Sequence, residues 1–141
     1  MPNELLLIAD GSPLTHAEVA EVFAGAGVNV IACSHAADVA PLARGHRPSV
    51  ILVDAALPGM NADSLVRELE HSAETRDSVV VLTCPREMHE SQVAELEASG
   101  ALLVLVKPLT RDGLLQAFAQ ALAESRERKS LSQPRRRRRA A

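Results

Sequence analysis

Five short apolar runs punctuate the chain: Glu4 to Ala9 (ELLLIA), Val28 to Cys33, Val50 to Val53, Val79 to Leu82 and Leu102 to Val106. Each is four to six residues long and rich in Val, Ile and Leu. Continuous runs of that kind suit strands buried on both faces, as in a parallel sheet. Between them apolar residues recur at three- and four-residue spacing, as at Val19, Val22, Phe23, at Leu65, Val66, Leu69 and at Leu114, Leu115, Phe118, Leu122. That spacing draws an apolar stripe along a helix. Alternating strand and helix, with right-handed crossovers, predicts an α/β fold with helices on both faces of a parallel sheet.

Helix boundaries follow from the polar residues. Ser12 followed by Pro13 reads as a cap and first helical residue. Ser34 is placed to cap the second helix and Thr110 the fifth, and Gly27, Gly45 and Gly100 stand where helices should end. Pro41 is the misfit, since inside a helix it would cost about 3 kcal/mol. The second helix is therefore expected to be short, kinked or frayed. The periodic pattern stops near Arg128, which predicts one domain over residues 1–127 and a disordered basic tail over 128–141.

Composition narrows the function classes. Apolar residues make up 47% of the 141 positions, enough for one core, and with no Trp or Tyr that core is aliphatic apart from Phe23 and Phe118. No apolar run reaches the roughly 18 residues of a membrane span, and the N-terminus lacks a signal-peptide pattern, so a cytoplasmic location is expected. Cys33 and Cys84 fit no zinc or redox spacing and read as buried thiols. The five histidines, at 16, 35, 46, 71 and 89, are scattered singly and read as surface residues. The formal charge of −3 becomes −8 without the five arginines Arg135–Arg139. An acidic body is a poor nucleic-acid surface, whereas such a tail can contact polyanions. No recognition helix, zinc motif or aromatic platform accompanies the tail, which argues against sequence-specific DNA binding.

The chemistry lies at the strand ends. In an open parallel sheet, functional groups gather at the carboxyl ends of the strands. The first run ends at Asp10, the third at Asp54, the fourth at Thr83 and the fifth at Lys107-Pro108. Two carboxylates, a hydroxyl and an ammonium are thus expected on one edge. Two close carboxylates repel, and a hard dication such as Mg²⁺ relieves that repulsion. The same ion offsets charge on an incoming phosphoryl group. Asp54 then serves as the nucleophile, forming an acyl phosphate. Lys107 pairs with one phosphoryl oxygen and Thr83 donates to another.

The stretches LLLIADGSPLT, SVILVDAALPGMNA, VVVLTCP and LLVLVKPLT resemble the signature segments of response-regulator receiver domains, over roughly residues 4 to 125. The most specific part is VDAALPGM, with Pro four residues after Asp54, and next the Lys107-Pro108 pair, whose peptide is usually cis in that family. The resemblance implies a flavodoxin-like (βα)5 receiver fold, a doubly wound five-stranded parallel sheet of order 2-1-3-4-5. It implies Asp54 as phosphoacceptor, Asp10, Asp54 and the Ala56 backbone carbonyl as Mg²⁺ ligands, Thr83 as switch hydroxyl and Lys107 as phosphoryl-contacting cation. It also implies a histidine kinase or phosphotransfer protein as donor. A downstream protein would dock on the face of helix four, strand five and helix five. A homodimer is left open, and the protein is a signalling module rather than a turnover enzyme.

Three departures qualify that reading. The family usually has two adjacent acids after strand one; here the first is Ala9, which predicts weaker Mg²⁺ binding. The aromatic switch position holds Val104. Ala56 and Pro85, flanking the site, cannot orient water through a side chain, so a long-lived phosphorylated form is expected. The alternative is a phosphorylation-independent pseudo-receiver acting as an interaction scaffold. A flavin- or nucleotide-binding protein is disfavoured, because the first strand–helix turn, ADGSPLTH, lacks Gly-x-Gly-x-x-Gly.

Overall fold

The computed structural model describes residues 4–132. Its five strands are β1 (Glu4–Ala9), β2 (Val28–Cys33), β3 (Val50–Asp54), β4 (Val79–Cys84) and β5 (Leu103–Val106). They alternate with α1 (Pro13–Ala24), α2 (Val39–His46), α3 (Ala62–Glu70), α4 (Glu90–Glu97) and α5 (Arg111–Ser132). All strand pairs are parallel and the order is β2-β1-β3-β4-β5. This is the doubly wound order that the family resemblance implied.

The continuous apolar strands bury residues on both sides. One core sets Leu7, Ala9, Ile51, Val53 and Leu82 against α2 and α3, through Ala43, Leu65, Val66 and Leu69. The other sets Leu6, Ile8, Leu52 and Val81 against α1 and α5, through Val19, Phe23, Leu114 and Phe118. The rings of Phe23 and Phe118 lie 5.0 Å apart at 55°, joining α1 to α5 by a tilted aromatic contact. Burying a side chain of this size contributes about 1.5–3 kcal/mol. By contrast, α4 has no buried residue.

The predicted caps hold at two helices. Ser12 accepts from the Thr15 amide, and the Thr110 hydroxyl from the Gly113 amide. Ser34 does not cap the second helix. A 3-10 turn at Ala36–Asp38 intervenes, and α2 starts only at Val39. Pro41 therefore falls in the first turn, where no intrahelical partner awaits its missing N–H. The helix is short, eight residues, without a break at Pro41. Its end differs from expectation too: Gly45 stays helical and Arg47 takes the left-handed turn at φ 51°. Gly100, at φ 100°, meets the requirement read from sequence, and a Cβ there would stand 2.9 Å from Val66 Cγ1.

The last helix corrects the predicted boundary at 127, because α5 continues to Ser132. Arg128 explains the extra turn. Its guanidinium donates to the carbonyls of Arg76 and Ser78 and pairs with Glu124. Those contacts lie beyond the reach of local periodicity. The arginines 135–139 lie outside the described residues. No described helix is long and apolar enough to cross a membrane.

Candidate functional site

Strand register brings the site together. Asp54 is the last residue of β3 and pairs with Thr83 on β4. Asp10 directly follows β1, and its amide donates to the carbonyl of Cys33 at the end of β2. Lys107 directly follows β5, its amide held by the Cys84 carbonyl at the end of β4. The Lys107-Pro108 peptide is cis. Four sequence-distant residues thus share the carboxyl edge of the sheet.

The Lys107 ammonium joins the two acids. Its Nζ lies 2.8 Å from Asp10 Oδ2 and 3.4 Å from Asp54 Oδ2. The Asp10 side chain is 4% exposed, so little water screens the shorter contact. Burial alone would lower the lysine's pKa, but the hydrogen bonds and charges of Asp10 and Asp54 outweigh it and hold the pKa above the ordinary value of 10.5. Lys107 is therefore fully charged at neutral pH. The remaining carboxylate oxygens bond to backbone. Asp10 Oδ1 accepts the Ser12 amide at 2.8 Å, and Asp54 Oδ1 the Ala56 amide at 2.9 Å. These bonds fix both headgroups. The formal charge of the trio is −1, two carboxylates against one ammonium.

Thr83 is 1% exposed, and its hydroxyl has no hydrogen-bond partner among the described residues. A buried hydroxyl without a partner costs about 1–3 kcal/mol, and this one stands beside the Asp54 strand end. Cys84 and Cys33 are both free and buried, as the sequence indicated. Burial raises both thiol pKa values, and the charge of Asp54 raises that of Cys84 further. Neither is a poised nucleophile. Ala9 is fully buried and adds no charge to the site. Among the described residues no three acidic, His or Cys side chains cluster as a metal site. A cation here would draw on two carboxylates and backbone.

One neighbour escaped the sequence reading. His16 is not a free surface residue; it is half-buried, and its Nε2 lies 2.6 Å from the Asp10 carbonyl. The signal was present. Ser12-Pro13 fixes the start of α1, so His16 occupies the first turn. Helical side chains lean toward the N-terminus, which aims this one at the preceding loop. His89 likewise acts as the side-chain cap of α4, accepting from Ser91. A groove of about 670 Å³ lies beside the site, lined by Gly11, His35, Pro58, Met60, Asn61 and Glu68 among others.

Residues 6–119 match the family described as the response regulator receiver domain. The chain belongs to that family. Receiver domains are signalling modules of two-component systems and typically bind Mg²⁺. This receiver is similar to Protein PilH of Pseudomonas aeruginosa, with 29% identity over 118 residues, covering 84% of this chain and 97% of PilH. Its fold is similar to chemotaxis response regulator CheY4 of Vibrio cholerae, with TM-score 0.74 at 22% identity, covering 86% of this chain and 100% of that one. It is also similar to the signal receiver domain of an HD domain-containing protein from Pseudomonas fluorescens Pf-5. There the TM-score is 0.79 at 16% identity, and coverage is 92% of this chain and 94% of that one. At such identities the two structures speak for the fold alone.

Proposed function

We propose that this receiver accepts a phosphoryl group on Asp54 from a histidine kinase or phosphotransfer protein and thereby alters its protein contacts. The observation that carries the reading is the Lys107 bridge, which gathers carboxylates from the ends of β1 and β3 around one ammonium from the end of β5. An Asp54 carboxylate oxygen attacks phosphorus, the bond from phosphorus to the donor breaks, and the donor leaves with that electron pair. Lys107 offsets charge on one phosphoryl oxygen. The partnerless Thr83 hydroxyl donates to another, gaining the hydrogen bond it lacks.

The donor set fits a hard dication. Two carboxylates keep a net −1 after Lys107, and oxygen ligands with few protein contacts suit Mg²⁺. Asp10, Asp54 and the Ala56 carbonyl are the proposed ligands. Mg²⁺, when bound, supplies neutralisation of charge on the transferring group. Ala9 leaves the site one acid short, so weaker Mg²⁺ binding is expected. Ala56 and Pro85 carry no side chain that could orient water, and a long-lived phosphorylated form follows.

The proposed output surface is α4, β5 and α5. Val106 on β5 is 51% exposed, and Leu102, just before β5, is 37% exposed. A second reading, a scaffold that works without phosphorylation, is favoured by Ala9 and Val104, which supply neither the extra acid nor an aromatic switch. Incubation with Mg²⁺ and a small phosphodonor separates the two. The proposal expects a phosphoryl mass gain that Asp54→Asn abolishes. No gain, together with no beryllofluoride-dependent change, would leave the scaffold.

A further inference from the structure

Asp10 is the only acid that β1 brings to the site, because Ala9 occupies the preceding position. Its orientation therefore bears on everything the pocket can bind. Each polar group of Asp10 is engaged. The amide donates to Cys33, Oδ1 accepts from the Ser12 amide and Oδ2 accepts from Lys107. The fourth partner is His16, whose Nε2 meets the carbonyl at 2.6 Å. A carbonyl can only accept, so the imidazole donates and Nε2 carries the proton.

The His16 ring is half-buried and sits one helical turn into α1, where its own amide donates to the Ser12 carbonyl. A single side chain thus ties the start of α1 back to the end of β1. It closes the loop Asp10-Gly11-Ser12 through the backbone, whereas Lys107 contacts the carboxylate. Gly11 offers no side chain to stiffen that loop, and its nearest neighbour is Leu57 Cδ2, 3.7 Å from where a Cβ would stand.

We infer that His16 is a positioning residue for this receiver's cation site, holding the Asp10 backbone so that its carboxylate faces Asp54 and Lys107. The inference rests on the reading of Asp10 as a cation ligand. It concerns a hydrogen bond donated by Nε2. A side chain that places an amide N–H at the same reach keeps the function, and one that places it short loses it. Gln reproduces the reach of Nε2, whereas Asn and Ala do not.

The test is calorimetric titration of Mg²⁺ into the full chain and into His16→Gln, His16→Asn, His16→Ala and Asp10→Asn, with thermal melting of each. The expected result is a Mg²⁺ dissociation constant weakened about tenfold in His16→Ala and His16→Asn. His16→Gln should remain within about twofold of the parent. In the parent, Mg²⁺ should also move the His16 Nε2 nitrogen resonance along the same binding curve. The inference is overturned if His16→Ala melts lower yet binds Mg²⁺ as the parent does, or if His16→Gln is as weak as His16→Ala. If Asp10→Asn weakens Mg²⁺ binding while no His16 variant does, only the inference falls. If Asp10→Asn leaves binding untouched, the reading of the site falls with it.

Discussion

The two edges of the sheet use the same chemistry to opposite ends. At the amino edge, Glu4 at the start of β1 accepts from the Ser49 hydroxyl at 2.8 Å and pairs with Arg126 at 3.1 Å. Arg128 reaches from α5 to the carbonyls of Arg76 and Ser78, and bonds Glu124 at 3.0 Å. Glu4 and Glu124 each have their own cation. At the carboxyl edge two carboxylates share one ammonium, and the Thr83 hydroxyl lacks a partner among the described residues. The amino edge is paired for stability. The carboxyl edge keeps unspent charge and an idle donor, the condition expected of a site that binds something.

Four substitutions can break or sharpen that contrast. The largest effect is expected from Lys107→Met, which removes the shared ammonium. The rate of modification of Asp54 by a small phosphodonor should fall about a hundredfold, in line with loss of a preorganised charge, measured by mass spectrometry against time. Next comes Arg128→Met at the other edge. Loss of its bonds to two carbonyls and Glu124 should lower stability by about 1–2 kcal/mol in denaturant melts while leaving phosphodonor reactivity unchanged.

Asp54→Asn should move stability the other way. It relieves repulsion with Asp10 and is expected to raise stability by about 1 kcal/mol, or the melting temperature by about 4 °C. A lower melting temperature would mean the carboxyl edge is built like the amino edge. The smallest effect belongs to Glu4→Gln, with a loss of about 0.5 kcal/mol at neutral pH. Burial pushes the Glu4 carboxyl up, but Ser49 and Arg126 outweigh it and leave its pKa below the ordinary 4.5. A depressed carboxyl pKa stabilises the fold above 4.5, and that contribution is lost as pH falls through the folded value. Parent and variant should therefore converge in acid melts below that point.

How far the sequence could be read follows from the range of each interaction. Continuous apolar runs mark the strands, and each run ends on the residue that the sheet then carries to its edge, as with Asp10 and Asp54. Strand order is not local, and periodicity could not supply it; family resemblance did. Misreadings cluster where a side chain bonds outside its own segment. Arg128 extends α5 by reaching the loop before β4. The 3-10 turn before α2 displaces the cap from Ser34. His16 passes for a surface residue until the preceding carbonyl is seen above it. The missing acid at Ala9 was plain from the letters, and so was its consequence for charge.

With no buried residue, α4 touches a core only through the partly buried Leu96 and is held by little besides that contact, its own backbone and its cap. For α4, opening therefore costs far less than unfolding the sheet. Its amide protons should be among the quickest of the regular elements to exchange with deuterated solvent, through excursions that leave the five strands intact. A segment with so small an opening free energy can be captured in another orientation by a modest bias, so a partner's grip there needs to supply only a fraction of what reshaping the core would demand.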